Sequence, residues 1–169
     1  MLRSLVFAAV FYLVTALFLL LGIWLLLAPR AWAMQGLKLH GRASVWLLQA
    51  ICGTRMEVRG SERLPRAPYL VAAKHQSAWD TFALVPLFND PAIVLKDELK
   101  WIPVYGWFCV KFEHILIKRD RAASALRAML TDARQKAAEG REILIFPEGT
   151  RRARSCGVSH RCVSARQQR

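Results

Sequence analysis

Acidic residues are scarce in this 169-residue chain, which has 12 Asp and Glu against 25 Lys and Arg and a formal charge of +13. This imbalance is typical of proteins that contact an anionic membrane surface, an anionic substrate or nucleic acid. Cysteine is also scarce, and the four residues form neither a disulfide framework nor a zinc pattern: Cys52, Cys109, Cys156 and Cys162. Cys156, His160 and Cys162 lack a fourth ligand, so we predict no metal site. The length allows at most one soluble domain plus an attachment.

Charge is absent altogether between Ser4 and Pro29, and the stretch from Leu5 to Ala28 is almost wholly apolar. As a helix this stretch measures about 36 Å, which exceeds the hydrocarbon core of a bilayer, about 30 Å. The alternative is a secretory signal cleaved after Ala33, but the apolar core of a signal has only about 7–15 residues. We therefore predict a retained membrane helix.

The region after this stretch, up to residue 54, is expected to complete a membrane attachment. More basic residues follow the apolar stretch than precede it: Arg30, Lys38, Arg42, Arg55 and Arg59 lie after it, and Arg3 lies before it. The positive-inside rule then places the following domain in the cytoplasm, on an inner (cytoplasmic) membrane. A second apolar segment, Ala43 to Cys52, is too short to cross; it either lies in the interface or folds back as a hairpin.

Residues 55–152 show strands alternating with helices, which predicts an α/β domain with a sheet flanked by helices. The predicted strands are short apolar runs: Met56–Gly60 at an edge, Tyr69–Ala73, Pro91–Lys96, His114–Ile117 and Arg141–Phe146. A short helix and a turn are predicted from Asp97 to Gly106. A longer amphipathic helix is predicted from about residue 122 to Glu139, and Gly140 ends it.

His75 and Asp80 stand five positions apart, directly after the Tyr69–Ala73 strand. In a regular helix their side chains would point about 140° apart and could not meet. If His75 lies in a turn and Asp80 in the first helical turn, the carboxylate can fix the imidazole tautomer and leave the other nitrogen as a base. Ser77 and Asp80 also match a helix capping box, in which His75 is merely a turn residue. The two interpretations are compatible, because a cap holds Asp80 in place.

Two further polar clusters follow predicted strands, Lys118-Arg119 after the third and Glu148-Gly149-Thr150 after the fourth. Strand ends of this kind can converge on one cleft. Arginine can bind a phosphate in a two-pronged manner, which lysine cannot match, so this cleft suits an anionic substrate. Taken singly, the basic pair is also typical of a solvated helix start, and the second cluster of a turn.

These segments resemble the motifs of the glycerolipid acyltransferases. His75 to Asp80 resembles their H-x4-D motif, and Phe146 to Arg151 resembles their FPEGTR motif. Ile115 to Arg119 is similar to the apolar run and arginine between them, and Lys96 to Gly106 fits the connecting segment. The order and separations agree from about residue 56 to 152. The bacterial 1-acylglycerol-3-phosphate (lysophosphatidate) acyltransferases are the most similar subgroup.

The resemblance implies a glycerol-3-phosphate-acyltransferase-like mixed sheet and a reaction of phospholipid biosynthesis. A fatty acyl group would move from acyl carrier protein or acyl-CoA to the 2-hydroxyl of lysophosphatidate, giving phosphatidate. His75 would be the general base, and Asp80 would orient it. The substrate-binding residues implied are Arg119, Glu148, Gly149, Thr150 and Arg151. No cofactor or metal is implied.

The sequence departs from the family at two places. Lys118 stands where relatives often carry an acid, and the resemblance ends just after Arg152. Residues 153–169 are rich in Arg, Ser and Cys without acids, so we predict a basic disordered tail and a domain truncated at its C-terminus. A shifted reading frame or a truncated gene is the hypothesis for this tail.

The composition suggests two other functions, and other features of the sequence disfavour the second. An inactive truncated copy would act only as a basic protein bound to anionic membrane lipids. Nucleic-acid binding through the arginines is disfavoured by the apolar N-terminus and by the absence of a recognisable nucleic-acid module. Within the enzyme class, lysophosphatidate, glycerol 3-phosphate, an ornithine-lipid precursor and other lyso-lipids all remain open as acceptors.

Overall fold

The computed structural model describes residues 2–75, 77–118 and 122–147. Helices and strands alternate after an N-terminal helical pair, and short 3₁₀ helices join several of them. The elements are α1 Leu2–Leu21, α2 Arg30–Cys52, β1 Leu70–Ala72, α3 Ala78–Ala83, β2 Ala92–Lys96, α4 Tyr105–Lys111, β3 Ile115–Ile117, α5 Ala122–Ala138 and β4 Ile143–Ile145.

The four strands form one sheet in the order β1-β4-β2-β3. All three pairings among the described strands are parallel, with Leu70 opposite Ile143, Ala92 opposite Ile143 and Val94 opposite Ile115. The predicted α/β architecture, a sheet flanked by helices, is confirmed. Because parallel strands run in one direction, the segments after β1, β3 and β4 all emerge at the same edge of the sheet.

Both faces of β2, β3 and β4 are covered, which explains why these strands are continuous apolar runs, whereas Leu70 and Ala72 of β1 are exposed. Ile93 and Leu144 pack into a core with residues of α2 and α4 on one face. Their neighbours Ala92 and Ile143 point the other way and pack, with Ile115, beneath α5. This alternation is the two-residue period of a strand. Two helical layers therefore cover these three strands, and the α2–α4 side carries the larger core.

The N-terminal helices form a hairpin. Phe11 of α1 is buried, and Thr15 of α1 bonds the ring of His40 in α2 at 3.0 Å. Within the described residues, α1 is the one helix long and apolar enough to cross a membrane. It ends at Leu21, not at Ala28 as predicted, because the chain turns at Gly22 into a 3₁₀ helix. The apolar segment from Ala43 is the second half of α2, and of the two alternatives the structure has the hairpin.

The predicted edge strand from Met56 to Gly60 is wrong. This segment has no regular secondary structure, and the side chains of Glu57 and Arg59 bond each other at 2.6 Å. Val58 is exposed, and no described strand pairs with the segment. An alternating pattern becomes a strand only when a neighbouring strand satisfies its backbone groups.

The prediction for the segment from Asp97 to Gly106 was incomplete. A 3₁₀ helix, Asp97–Trp101, is followed by a tight turn, as expected. A new helix, α4, then begins at Tyr105 and was missed. Pro103 and Gly106 indicate a turn at this point, so the sequence pattern did not predict a helix there.

The opposite edge of the sheet, where β2 and β4 begin, is held by a buried arginine. Arg141 is 2% exposed and donates hydrogen bonds to the backbone oxygens of Asp90, Pro91 and Phe112. Its guanidinium also lies 3.3 Å from the carboxylate of Asp90, which forms a two-pronged pair with Arg30 at the start of α2. The hairpin is thereby tied to the sheet by charged, hydrogen-bonded groups.

Candidate active site

The turn after β1 carries the predicted pair, and local sequence explains its shape. Ser77 has extended backbone angles and precedes α3 as its N-cap. Its backbone N–H donates to Oδ2 of Asp80 at 2.7 Å, and its hydroxyl donates to Oδ1 at 3.1 Å. This is the capping box expected from the spacing, and it directs the carboxylate back toward the turn.

His75 faces the same carboxylate. Its Nδ1 lies 3.7 Å from Oδ2 of Asp80, and each side chain is 18% exposed. Nδ1 is buried and makes no hydrogen bond with the part of the chain that the structure describes. A hydrogen bond from ring nitrogen to carboxylate is about 2.7–2.9 Å long. A movement of roughly 1 Å would therefore close the pair, and catalytic hydrogen bonds are often long before substrate binds.

The ring of His75 also packs against the end of β4. Its centroid lies 4.6 Å from that of Phe146, because β1 and β4 are neighbours in the sheet. The structure thus brings the H-x4-D turn beside the beginning of the FPEGTR segment. The other residues predicted for the site lie outside the described residues: Arg119, Glu148, Gly149, Thr150 and Arg151.

The end of β3, which leads to Arg119, is further away. Strand β3 is separated from β1 by β4 and β2. At about 4.8 Å per strand, the two strand axes lie roughly 14 Å apart. Lys118, at the end of β3, is exposed. The sheet order therefore spreads the strand ends that precede the predicted site residues over the whole edge, which sequence alone did not indicate.

Helix α2 packs against α3 and contacts it at two positions. The indole N–H of Trp79 donates to the backbone oxygen of Ser44 at 3.4 Å, and Ser44 is fully buried. One turn further along α3, the ring of Phe82 meets that of His40 edge-on at 4.9 Å. The N-terminal hairpin therefore packs against α3, the helix that carries Asp80. No local sequence pattern predicted this contact.

A cavity of about 570 Å³ lies between the hairpin, α3, α4 and the sheet. Its walls are mostly apolar, and they include Phe18, Leu25, Phe82, Val85, Ile93 and Phe108. Thr81, directly after Asp80 in the chain, also lines it. Ligand pockets typically span about 300–1,000 Å³ and are mainly hydrophobic, so this cavity has the size and character of a site for an apolar chain.

The titratable groups in this wall are neutral at pH 7. Burial lowers the pKa of His114 to about 3, and the charges of Arg141 and Arg30 lower it further. Burial also raises the pKa of the Cys109 thiol to about 11 and raises the pKa of Tyr105. Because burial penalises the charged form of each group, the wall presents no net charge to its contents. Nδ1 of His114 accepts a hydrogen bond from the Ile93 N–H at 3.3 Å.

Known proteins are similar to this chain in sequence and in fold. A family model described as Acyltransferase matches residues 55–163, and its match extends past Arg152, where the motif resemblance ends. A 1-acyl-sn-glycerol-3-phosphate acyltransferase of Pseudomonas aeruginosa is 39% identical over 110 residues, covering 65% of this chain and 43% of the relative. A lyso-ornithine lipid O-acyltransferase of the same organism is 34% identical over 140 residues, covering 80% and 52%. The chain thus spans about half the length of these relatives.

A solved structure gives the same result for the fold. The crystal structure of the 1-acyl-sn-glycerophosphate acyltransferase of Thermotoga maritima matches with a TM-score of 0.70 and 25% identity, covering 89% of this chain and 63% of that one. The family model covers well over half of the chain, including the His75–Asp80 turn and the strands that position it. From its sequence and its fold, the chain belongs to the acyltransferase family.

Proposed function

We propose that this chain carries the acyl-transfer site of a 1-acyl-sn-glycerol-3-phosphate acyltransferase of phospholipid biosynthesis. The observation that carries the proposal is the buried Nδ1 of His75, which faces Oδ2 of Asp80 at 3.7 Å and has no hydrogen-bond partner among the described residues. A carboxylate in this position favours the tautomer with the proton on Nδ1. Nε2 is then the basic nitrogen.

The chemistry follows from that tautomer. Nε2 of His75 takes the proton of the acceptor's 2-hydroxyl as the oxygen attacks the thioester carbonyl. The carbon–sulfur bond then breaks, and the imidazolium returns its proton to the departing thiolate. Asp80 stabilises the imidazolium between these two transfers. The ester product and the free thiol together hold all the atoms of the two substrates.

The phosphate of lysophosphatidate would be bound by Arg119, and the acceptor would be positioned by the segment from Glu148 to Arg151. These roles rest on the family motifs. The sheet order supports the assignment of separate tasks, because the strand leading to Arg119 is on the far side of the sheet from β1. An arginine side chain binds phosphate in a two-pronged manner.

The apolar cavity would accept an acyl chain, since its wall is neutral and reaches the residue after Asp80. Helix α1 would attach the protein to the inner membrane, with the catalytic part facing the cytoplasm, as the basic residues after α1 favour. Acyl carrier protein and acyl-CoA are both suitable thioester donors.

The test is acyl transfer by the full chain in a membrane fraction, with His75→Ala beside it. Loss of the base is expected to lower the rate about 10²–10⁴-fold. Lys74→Ala is the matched control, because Lys74 is exposed and adjacent. Equal activity in the intact chain and in His75→Ala would overturn the assignment of the base.

Acceptor comparison completes the test. Lysophosphatidate and lyso-ornithine lipid should be offered separately, since relatives named for each acceptor match this chain. Activity confined to the acceptor that lacks a phosphate would overturn the role of Arg119. No transfer to any acceptor by well-folded protein would favour the alternative, an inactive basic protein bound to the membrane.

A further inference from the structure

Helix α4 is apolar on two opposite sides. Phe108, Cys109 and Phe112 are buried, with Phe108 and Cys109 on the inner side of the helix. Trp107 and Val110, three positions apart on the other side, are 54% and 61% exposed. A helix that is hydrophobic all round is normally buried all round. The outer side of α4 therefore presents two large apolar side chains at the surface.

The segment before α4 extends this surface. Trp101 is 77% exposed and Ile102 is 46% exposed. A Cβ on Gly106 would lie 1.9 Å from the backbone oxygen of Lys100, so the 3₁₀ helix Asp97–Trp101 presses directly on the first turn of α4. The exposed set Trp101, Ile102, Trp107 and Val110 is called here the tryptophan patch.

The turn between the two segments has a strained backbone at Val104. Val104 has φ 61° and ψ −52°, and the N–H of Tyr105 bonds the oxygen of Pro103 at 2.6 Å, which makes a γ-turn. A positive φ is costly for a β-branched residue. Lys100 adds a second restraint, since its ammonium bonds Asp97 at 2.7 Å and lies 5.3 Å from the Trp101 ring. The exposed indole is thus held in place.

The neighbourhood of the tryptophan patch indicates what covers it. Helix α4 contacts the 3₁₀ helix Ile23–Leu26, which directly follows the apolar helix α1. Trp24 and Leu27 are also exposed there, at 55% and 93%. Exposed apolar side chains therefore occur both on α4 and on the segment that directly follows α1. Exposed tryptophans next to a membrane helix are typical of the interface between lipid headgroups and acyl chains.

We propose that the tryptophan patch is a second membrane contact, which inserts into the bilayer interface beside α1 and fixes the tilt of the α/β domain on the membrane. The proposal rests on the membrane attachment of α1 given above. Its occupant is a bilayer containing anionic phospholipid, which suits a chain of net charge +13.

The test is lipid photo-crosslinking of the full chain in vesicles of phosphatidylethanolamine and phosphatidylglycerol that contain a phospholipid with a diazirine on its acyl chain. Adducts mapped by mass spectrometry are expected on α1 and on the peptide spanning the tryptophan patch. Leu126 and Leu130 of α5, which are 52% and 44% exposed on the other face of the sheet, should carry none.

The possible outcomes distinguish the attachment by α1 from the contact at the tryptophan patch. Adducts on α1 without any on the patch would overturn the second contact and leave the attachment by α1 standing. Adducts on neither would overturn both, while the acyl-transfer assay would still test the active site. Cross-links between patches of two chains would show a second copy as the occupant instead and would also overturn the proposal.

A double variant tests the patch itself. Trp101→Ser with Trp107→Ser should abolish the adducts on this segment and leave those on α1 unchanged, because both indoles are exposed and their loss disturbs no core. Leu126→Ser with Leu130→Ser is the matched control and should change neither set. Unchanged adducts on the segment after loss of both tryptophans would contradict the proposal.

Discussion

Gly41 of α2 lies against the backbone of Phe82 in α3, so closely that a Cβ on Gly41 would be 2.5 Å from the Phe82 carbonyl oxygen. The same Cβ would be 2.8 Å from Cγ of Pro86. Helix α3 also carries Asp80, so this crossing determines where the carboxylate stands relative to His75. The N-terminal hairpin thus supports the candidate active site in addition to its proposed role in membrane attachment.

Gly41→Ala should therefore impair catalysis from a distance. The added methyl group meets a backbone carbonyl, so α3 must move, at a cost of about 1–3 kcal/mol of stability. We expect acyl transfer to fall about tenfold or more, because small displacements of catalytic groups are costly. Thermal unfolding in detergent and the initial rate measure the two effects.

Gly36→Ala in the same helix is the control for stability. There the new Cβ meets only Cδ1 of Leu25 at 2.9 Å, the far end of a flexible side chain. Its unfolding temperature should stay the same or rise, since Ala favours a helix by about 1 kcal/mol over Gly. Equal stability and equal activity of the two alanine variants would show that the Gly41 crossing does not position α3.

Ser77→Ala and Asp80→Asn should separate the cap from the charge. Loss of the Ser77 hydroxyl removes one hydrogen bond to Asp80 and costs about 1 kcal/mol of stability, but the carboxylate and the backbone N–H bond remain. In the proposed mechanism, Asp80→Asn removes the charge that stabilises the imidazolium. We expect a modest loss of rate in the first variant and about 10²-fold or more in the second.

Initial rates of the two variants, measured beside the intact chain at one pH, check this distinction. Ser77→Ala should keep most of the activity of the intact chain, whereas Asp80→Asn should lose most of it. Equal rates for the intact chain and Asp80→Asn would contradict the proposed role of Asp80.

His114 should make the fold sensitive to acid. In the fold its pKa is lowered from 6.5 to about 3, chiefly by burial, so the folded state keeps it neutral. Between these two values the unfolded chain binds one more proton than the folded chain, and the free energy of unfolding falls as the pH falls. At about pH 4.5 the loss is about 3 kcal/mol.

His114→Asn tests this contribution, because the asparagine oxygen can replace Nδ1 as the acceptor of the Ile93 N–H. Denaturant unfolding of both proteins at pH 7 and at about pH 4.5 gives the comparison. The variant should lose less stability on acidification than the intact chain. An equal loss in both proteins would show that His114 does not titrate between the folded and unfolded states.

Arg141→Met should destabilise the protein strongly. The side chain is buried, and its removal leaves the backbone oxygens of Asp90, Pro91 and Phe112 without a donor. Breaking a buried charged network of this kind typically costs about 3–5 kcal/mol. Thermal unfolding should show a clear fall in Tm. Arg59→Met, which breaks only the exposed pair with Glu57, should leave Tm unchanged.

The sequence alone predicted those features that depend on neighbours along the chain. The strands β1 to β4 were found because each is a bounded apolar run, as is typical of the strands of a parallel sheet. The turn at His75 and the cap at Asp80 were found because Ser77 and Asp80 stand three positions apart, as a capping box requires. The motifs at the three strand ends indicated the family because each motif is a short run of neighbouring residues.

Tertiary structure decided what depends on distant contacts. The apolar pattern ran through Gly22 without a break, so the end of α1 was missed, and Met56–Gly60 alternated without a neighbouring strand to pair with. The order β1-β4-β2-β3, the crossing of α2 at Gly41 and the cavity beneath α3 join residues far apart in the chain. A local pattern states which face of an element is apolar, but packing alone selects the element that covers that face.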